Sequence, residues 1–555
     1  MAISLEVLKD EIIGEQTLIT TPFGERLLTY ADYTASGRSV KFIEKYLLDL
    51  QRYYANSHTE DSATGKHMTS LVHKAEEKIK HLLGASDHYL FTTGTGATGA
   101  IHKFSEILGI YYPPKFDKYV AFDKEAITNR PVIFISAYEH HSNELLWRES
   151  LAEVVTIGLT EDGHFDLEDL RVKVSNEKYN GRLKIGSFSA ASNITGILSP
   201  VYEIAKIMHD YNGYACFDFA ASGPYVEINM SKDDTSYFDA VYLSPHKFIG
   251  GPSSSGVLAL HKSLYEETLR PTVAGGGTVD YVSRFGYDFV TRVEERERAG
   301  TPGILQILRT ALVLDLKENI GIKQIHDIEQ SHIKRVMSKV SKHENIEFLG
   351  NQTTNQRLAI LSFNIKYERK ILHHHFVAKL LNDLFGIQAR AGCACAGPYG
   401  HALLDIKDDR SMAYRAVIHE GIQALKPGWV RLNFHYTMTE EEVDYICEAM
   451  RFIADKGYLF LEDYEMDYHT GLWSHKTNEP SLEIVESFGI ENSFKLKDEV
   501  VFSEMKQDRS TLQEQYLTEA IALAEKRSIE PGTFKTFENS THEALKWYPI
   551  TDYHI

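Results

Sequence analysis

Apolar runs alternate with amphipathic segments between about residues 70 and 260, and this alternation constrains the fold more than any other feature. Runs such as Val132–Ser136 and Ala240–Leu243 have the length and composition of buried strands. The segment that follows Pro200 has apolar residues on one helical face. Strand–helix alternation of this kind predicts an α/β domain with a mostly parallel sheet between helices. In such sheets ligands bind at the carboxyl ends of the strands.

The pattern changes after about residue 300 and indicates a smaller α+β domain. Leu358–Phe363 reads as a strand, and the spacing of Thr439 and Glu442 is that of a helix capping box. In the tail, Thr511–Lys526 reads as a helix. The expected organisation is an N-terminal segment that packs with the small domain (1–30), a large ligand-binding domain (31–300), a small α+β domain (301–455) with a cysteine loop at 389–400, and a C-terminal extension (456–555).

Charge and cysteine content exclude several classes of protein. A net charge of −19 argues against non-specific binding to nucleic acid or to anionic membranes. Four cysteines in 555 residues are too few for a disulfide scaffold and indicate a reducing compartment. Met1–Ile13 lacks the apolar core of a signal peptide, and no run reaches the ~18 apolar residues of a membrane helix. We therefore expect a cytoplasmic protein without a nucleic-acid or membrane partner.

Two charged residues follow predicted strands. Lys247 comes after Ala240–Leu243, and burial there would lower its pKa and make its amine a nucleophile for an imine. Asp218 ends the run Tyr214–Phe217, where a buried carboxylate needs a cationic partner such as a protonated ring nitrogen. An Asp and a Lys on neighbouring strands are what a pyridoxal phosphate site requires. The alternatives are a solvated lysine and an N-cap aspartate.

Several polar residues near these strand ends are suited to an anion and a flat ring. Gly94–Gly96 lies between a strand and a helix start, where free N–H groups bind anions, although such a segment is more often only a turn. Thr95, Ser244 and His246 would hold a phosphate. His140 could stack on a flat ligand and move protons; the alternative is a structural histidine pair. No ligand spacing indicates a metal site.

A loop of small residues, Arg390–Pro398, contains Cys393 and Cys395. A soft-metal site, buried structural thiols and a reactive thiolate are the three interpretations, and the small neighbours favour an exposed reactive thiolate. Arg431 is predicted to end another apolar strand and could bind a substrate carboxylate with two hydrogen bonds; its alternative is a surface salt bridge. The run His373–His375 is predicted to be mostly solvated surface.

Taken together, these stretches resemble the class V aminotransferase group of fold-type I pyridoxal phosphate enzymes, in particular its cysteine desulfurase and selenocysteine lyase branch. The resemblance covers about residues 30–455. The matching stretches, in the family's order, are Asp32–Ser36, Tyr54–His58, Phe91–Thr95, Glu139–Asn143 with Trp147, Ser192–Gly196, Asp218–Ala220, Ser244–Lys247, Gly275–Gly277, Gly300–Pro302, Arg390–Ala396 and Arg431.

The resemblance implies a role for each site residue. Lys247 would carry pyridoxal phosphate, His140 would stack on its ring, and Asp218 would pair with the ring nitrogen. The other implied contacts are Thr95, Gly96, Ser244 and His246 for the cofactor phosphate; Thr301 for the phosphate in the partner subunit of a homodimer with a shared site; Asn193 for cofactor and substrate; and Ala35 and Arg431 for the substrate. Cys395 would attack the sulfur of L-cysteine, keep it as a persulfide for a sulfur-acceptor protein, and release L-alanine.

Three departures from the family pattern leave the reaction open. Ala221 stands where the family often has a glutamine, and Ala190 where a histidine is common. The cysteine loop is closer to molybdenum-cofactor-sulfurase-like relatives. The alternatives are another class V reaction, by an aminotransferase, a racemase or epimerase, or a selenocysteine lyase, in which Cys395 is not the nucleophile, or a non-catalytic relative. Residues 456–555 lie outside the resemblance.

Overall fold

A computed structural model describes residues 3–57, 59, 61–121, 123–477, 488–495, 508–530 and 533–554. His58, at the end of one matching stretch, lies outside the described residues, as does part of the C-terminal extension. The chain divides into two compact units. The first unit comprises Met1–Ile12, Thr34–Asp327 and Gln356–Leu358, and the second comprises Ile13–Tyr33, Ile328–Asn355 and Ala359–Ile555.

Helices occur along the whole described chain. In chain order they are α1 (Leu5–Asp10), α2 (Lys41–Leu50), α3 (Ala63–Leu82), α4 (Gly96–Ile107), α5 (Leu145–Arg148), α6 (Leu167–Val174), α7 (Val201–Asp210), α8 (Val293–Arg296), α9 (Ile304–Ile320), α10 (Ile322–Val340), α11 (His374–Phe385), α12 (Gly397–Leu403), α13 (Asp408–His419), α14 (Glu440–Lys456), α15 (Ile490–Lys495), α16 (Arg509–Ala524) and α17 (Ser540–Leu545). Within the described residues, none of the helices is both long and apolar enough to span a membrane.

The strands are similarly distributed. They are β1 (Leu18–Thr21), β2 (Gly24–Leu27), β3 (Thr29–Tyr30), β4 (His88–Thr93), β5 (Val132–Ser136), β6 (Glu153–Ile157), β7 (Lys184–Ser189), β8 (Tyr214–Asp218), β9 (Ala240–Leu243), β10 (Gly256–His261), β11 (Val279–Ser283), β12 (Gly286–Phe289), β13 (Ile346–Phe348), β14 (Ile360–Tyr367), β15 (Lys370–Ile371), β16 (Ile387–Gln388), β17 (Arg390–Gly392), β18 (Trp429–Asn433), β19 (Tyr464–Asp467), β20 (Trp473–His475) and β21 (Tyr553–His554).

The first unit is built on a seven-stranded sheet in the order β4-β10-β9-β8-β7-β5-β6. Strands β5 to β9 pair in parallel, whereas β10 is antiparallel to both of its neighbours. Every residue of β5, β7 and β9 is buried, which is the pattern of a parallel sheet covered on both faces. The core includes Phe104, Trp147 and Tyr242, each fully buried. The predicted α/β fold with a mostly parallel sheet is confirmed.

The second unit contains an antiparallel sheet in the order β13-β14-β18-β17, with β15 beside β14. Helices α11 and α14 pack on β14 in this unit. The capping box predicted at the start of α14 is present, because Thr439 and Glu442 each accept a hydrogen bond from the backbone of the other. The smaller α+β part of the predicted fold is therefore also confirmed.

The C-terminal extension packs within the second unit. Its strands β19, β20 and β21 form one small sheet. On α16, Glu519 pairs with Arg26 at 2.9 Å, and the Tyr516 hydroxyl accepts a hydrogen bond from the Leu27 amide at 3.0 Å. Arg509 forms ion pairs with Glu15 and Glu442. These contacts join the two ends of the sequence, and the periodicity that predicted a helix near α16 did not reveal them.

In the histidine run 373–375 the first two side chains are buried and the third is half-buried, so the prediction of a mostly solvated surface is wrong. His373 and His374 are 1% and 2% exposed. The indole of Trp547 stacks on both rings, with centroids 5.2 Å and 5.5 Å away. Burial lowers the pKa of both imidazoles well below the usual range, so they are neutral. The residue that covers them comes from the distant C-terminal extension, which local periodicity does not report.

Glu329 on α10 is a buried carboxyl group whose raised pKa should make the stability of the protein depend on pH. It is 3% exposed, and its Oε1 atom has no hydrogen-bond partner within the described part of the chain. Burial raises its pKa from 4.5 to about 8. The folded protein therefore binds more protons than the unfolded chain between these pH values, and the stabilisation present at low pH is lost as the pH rises to about 8.

We expect Glu329→Gln to flatten this pH dependence. Between pH 6 and 8 the free energy of unfolding of the wild type should fall about 2–3 kcal/mol more than that of the variant. Urea denaturation at each pH measures both values. The matched control is Glu347→Gln on β13, where the side chain is exposed and the wild-type slope should remain. Parallel profiles of wild type and Glu329→Gln would contradict the assignment.

Candidate active site

Asp218 and Lys247 lie at the same edge of the central sheet. Asp218 is the last residue of β8 and is 5% exposed. Lys247 ends the 3-10 turn Pro245–Lys247, which follows β9, the parallel neighbour of β8. Burial raises the pKa of Asp218, the hydrogen bond from the Ala220 amide lowers it, and the positive charge of Lys247 also lowers it. The structure thus brings the buried carboxylate and the lysine into electrostatic reach of each other.

Polar groups come together where β4 meets α4 and form a cradle around Gly96. Thr95 occupies the N-cap position of α4, and Gly96 follows with a positive φ of 60°. Ser244 Oγ accepts a hydrogen bond from the Ala97 amide at 2.9 Å. A Cβ atom on Gly96 would lie 2.7 Å from Ser244 Oγ and 3.5 Å from a ring carbon of His246. Glycine is therefore required here, and the helix N-terminus with its hydroxyl groups suits a phosphate.

His246 adds a neutral ring to this cradle. Burial lowers the pKa of its imidazole to about 4, and the neighbouring charge of Lys247 acts in the same direction. At neutral pH the ring therefore contributes hydrogen bonding without a charge of its own. The positive charge available to an anion here comes from the helix end and from Lys247.

His140 is held in place at the end of the segment that follows β5. Its Nδ1 atom accepts a hydrogen bond from the Ser142 amide at 3.2 Å and lies 3.1 Å from Ser142 Oγ. Ser142 Oγ is in turn 2.7 Å from the Thr98 hydroxyl on α4. The imidazole is consequently positioned by contacts that link its loop to α4.

Glu139 is a supporting residue whose role the sequence did not reveal. Its carboxylate accepts hydrogen bonds from the amide and hydroxyl of both Ser136 and Ser189, and from Asn143 Nδ2, at 2.6–3.1 Å. Burial raises its pKa to about 7, against the effect of these donors. The carboxylate ties the ends of β5 and β7 together directly before His140. A glutamate after an apolar strand was the available signal, but its donors could not be identified.

Three other predicted residues have different surroundings in the first unit. Asn193 is 8% exposed and lies in a turn in which Ser192 Oγ accepts backbone hydrogen bonds. Thr301 is exposed, and its hydroxyl accepts a hydrogen bond from Asn56 Nδ2 at 3.3 Å. Ala35 is half-buried in the turn that opens the main part of this unit. Their contacts to substrate or cofactor remain predictions from the resemblance.

Arg431 lies in the second unit, in the middle of β18 rather than at its end. Its side chain is 5% exposed, and its Nη2 atom is 3.1 Å from Asp32 Oδ1. Arg390 Nε is 3.2 Å from the other oxygen of Asp32. The guanidinium of Arg431 is thus a buried cation and not part of a surface salt bridge. Asp32 and Arg390 occurred in the matching stretches, but the sequence did not reveal this pairing.

Cys395 lies in a strained turn of the second unit. Ala394 and Cys395 have φ values of 47° and 56°, and the Ala396 amide donates to the Cys393 carbonyl at 3.3 Å. Non-glycine residues in this left-handed region each cost roughly 1–2 kcal/mol. Both cysteines are free, with Cys395 exposed and Cys393 partly buried. The observed strain and exposure favour a functional thiol at Cys395.

The donor set fits pyridoxal phosphate better than a metal. In the part of the chain that the structure describes, no group of three or more His, Cys, Asp or Glu residues could hold a metal ion. A lysine amine, a buried carboxylate, a fixed imidazole and a phosphate cradle are the groups that this cofactor requires. In this structure Lys247, Asp218, His140 and the cradle around Gly96 supply them within the first unit.

Comparison with known proteins gives one family and consistent relatives. The family model described as aminotransferase class-V matches residues 29–446. A relative named "Probable cysteine desulfurase" from Halalkalibacterium halodurans is 28% identical over 408 residues, which cover 72% of this chain and 92% of the relative. A protein of the same name from Staphylococcus epidermidis is 26% identical over 455 residues, which cover 80% of this chain and 95% of that protein.

Solved structures agree with the observed fold. The apo structure of cysteine desulfurase from Thermococcus onnurineus matches with a TM-score of 0.64 and 22% identity, and the match covers 82% of this chain and all (100%) of that one. The cysteine desulfurase CsdA from Escherichia coli, in its S-sulfonic acid form, matches with a TM-score of 0.58 and 21% identity over 76% of this chain and 93% of its own. At these identities the matches support the fold alone.

Proposed function

The chain belongs to the class V aminotransferase family and is a pyridoxal phosphate-dependent enzyme, and on this premise we propose that it is a cysteine desulfurase-like enzyme. It converts L-cysteine to L-alanine and retains the sulfur as a persulfide on Cys395. The observation that carries this proposal is the exposed thiol of Cys395 in a strained turn, on a loop next to the strand that pairs with Arg431. The names of the relatives support the same activity.

Each predicted site residue of the first unit has a defined task in this proposal. Pyridoxal phosphate, when bound, withdraws electrons from the α-carbon of an amino acid. Lys247 would hold the cofactor covalently, Asp218 would keep a proton on its ring nitrogen, and His140 would stack on the ring and move protons. Thr95, Ser244 and His246, with the Gly96 backbone, would hold the phosphate at the helix N-terminus.

Arg431 would bind the substrate carboxylate and orient the amino acid, and the resemblance gives Asn193 the role of a further ligand. The Cys395 thiolate would form an S–S bond with the substrate sulfur while the C–S bond breaks. The electron pair of that bond stays on the substrate carbon, which takes up a proton to become alanine. The persulfide then passes its outer sulfur to an acceptor thiol.

The same proposal includes partners and location. Thr301 would contact the cofactor phosphate of the partner subunit, which makes the enzyme a homodimer with a shared site; its exposed position is compatible with this role. A sulfur-acceptor protein would discharge the persulfide. A reducing compartment, with the cytoplasm as the default, suits the free thiols.

A panel of amino acids tests the activity directly. We expect the purified enzyme with pyridoxal phosphate to convert L-cysteine to L-alanine and to gain about 32 Da, the mass of one sulfur atom, on the peptide that contains Cys395. Product and peptide mass spectrometry measure both. Protein from which the cofactor has been removed is the control. A keto acid product would identify an aminotransferase instead, D-amino acids would identify a racemase, and exclusive use of selenocysteine would identify a selenocysteine lyase.

A further inference from the structure

Asp32 forms a bridge between two arginines on neighbouring strands of the second unit. Its Oδ1 atom is 3.1 Å from Arg431 Nη2, and its Oδ2 atom is 3.2 Å from Arg390 Nε. Arg390 and Arg431 are directly opposite each other in the antiparallel pair β17–β18. Like charges in such cross-strand positions repel each other, so a carboxylate between them is needed to offset the repulsion. Each guanidinium uses a different oxygen of the same carboxylate.

The backbone around Asp32 is fixed on both sides. The Ala31 carbonyl accepts a hydrogen bond from the Asn433 amide at 2.8 Å. The ring of Tyr33 stacks on His435 with centroids 3.9 Å apart and an interplanar angle of 17°. Asp32 is therefore anchored to the end of β18 by both neighbours, and its carboxylate is presented to the arginines at little further entropic cost.

The two arginines differ in exposure. The side chain of Arg431 is 5% exposed, that of Asp32 is 14% exposed, and that of Arg390 is 50% exposed. Burial lowers the pKa of Arg431, and the charge of Arg390 acts more weakly in the same direction, whereas the charge and hydrogen bond of Asp32 raise it. Two guanidinium groups and one carboxylate leave a net charge of one positive, which matches a single carboxylate of a ligand.

We propose that Asp32 and Arg390 are positioning residues that set the affinity of Arg431 for the substrate carboxylate. Asp32 competes with that carboxylate for Arg431, and Arg390 strengthens substrate binding indirectly because it draws Asp32 away from Arg431. The inference rests on the proposed role of Arg431 in substrate binding. It assigns to this position one carboxylate, the α-carboxylate of the amino acid.

This arrangement also connects the carboxylate site to the thiol. Arg390 is the first residue of β17, which leads directly into the turn that contains Cys395. When a ligand carboxylate binds Arg431, it displaces the carboxylate of Asp32 from that guanidinium. Asp32 then interacts more strongly with Arg390, because its negative charge is no longer divided between two arginines. The strand that precedes the nucleophile is then held more firmly while substrate is present.

The test measures binding of propionate, a carboxylate without sulfur or an amino group, to the holoenzyme by calorimetry. We expect Asp32→Asn to tighten propionate binding about tenfold, because a competing charge has been removed. Arg431 should keep its orientation in this variant, since the buried middle of β18 holds its side chain. Weaker binding by Asp32→Asn would overturn the proposed competition.

Arg390→Gln distinguishes the indirect effect from direct binding. We expect it to weaken propionate binding about fivefold in the wild-type background, and by less than about twofold in the Asp32→Asn background. If Arg390 contacted the ligand directly, or attracted it only through its positive charge, Arg390→Gln would reduce propionate affinity equally in both backgrounds. That result would show the inference to be wrong.

Two further variants keep the outcome clear. Asp32→Glu retains the charge and should keep binding within about threefold of the wild type, so it separates loss of charge from loss of folding, which thermal melts also monitor. Asp405→Asn is the matched control, since Asp405 is an exposed aspartate of the same unit that pairs with Lys407. If Arg431→Gln does not reduce propionate binding, the inference is overturned at its premise. If the propionate affinities of all variants are as expected but no sulfide is released from L-cysteine, only the desulfurase activity is rejected.

Discussion

Lys247→Ala is expected to abolish the visible absorbance band of lysine-bound pyridoxal phosphate and to reduce turnover of L-cysteine by at least about a thousandfold. Lys247 ends the turn that follows β9, near enough to Asp218 to lower its pKa, and the substitution removes the amine that is proposed to hold the cofactor. Absorbance spectra of the wild type and the variant measure the first effect. Peptide mapping after borohydride reduction should locate the cofactor on Lys247 in the wild type.

Lys262→Ala is the matched control for this substitution. Lys262 also follows a strand of the central sheet, β10, but its side chain is 50% exposed and pairs with Asp87. The control should retain the absorbance band and the activity. Partial recovery of turnover by Lys247→Ala with added methylamine would show that the variant is folded. Persistence of the band in Lys247→Ala would assign the cofactor to another lysine.

In the presence of dithiothreitol, which reduces a persulfide and frees its outer sulfur as sulfide, Cys395→Ala is expected to reduce sulfide release from L-cysteine to background while the cofactor absorbance remains. The thiol is exposed and free, and the alanine keeps a Cβ atom at the positive φ of 56°, so the turn is no less strained than before. The loss would therefore report the missing sulfur rather than a relaxed backbone. Sulfide assays, together with the mass of the Cys395 peptide after incubation with cysteine, measure the effect.

Cys393→Ala is the control within the same turn. Cys393 precedes the two left-handed residues and is less exposed than Cys395, so its removal should leave sulfide release within about threefold of the wild type. Cys216 and Cys447 are buried and cannot replace the thiol. Unchanged sulfide release by Cys395→Ala would exclude the persulfide role and would favour another class V reaction.

Local sequence patterns predicted the helices and strands well, because each element depends mainly on residues that are close together in the chain. Continuous apolar runs such as Val132–Ser136 and Ala240–Leu243 become buried strands with the predicted bounds. The capping box of α14 needs only residues three apart, and it is present. The neighbouring positions of Asp218 and Lys247 followed from strand ends in a parallel sheet, since parallel strands end at one edge.

The burial of the histidine run and the donors to Glu139 were not predictable in the same way. His373 and His374 are covered by Trp547 from the other end of the second unit. Glu139 accepts hydrogen bonds from Ser189, fifty residues away on another strand. Neither contact leaves a periodic signal, because periodicity records which face of an element is buried and not which side chain covers it.

The sequence by itself was enough to predict the helices and strands of the scaffold and their order. It also indicated the cofactor from the residues at the strand ends, and it showed the loop with two cysteines. Only the tertiary structure decided which charged groups pair with Arg431 and how deeply its guanidinium is buried. Asp32 and Arg431 are 399 residues apart in the chain, and their pairing requires that the segment around Asp32 pack against β18, the strand that contains Arg431. Burial then removes the water that would have weakened the interaction. Propensity and spacing act over a few residues, whereas the strength and partners of a buried charge depend on packing across the whole unit.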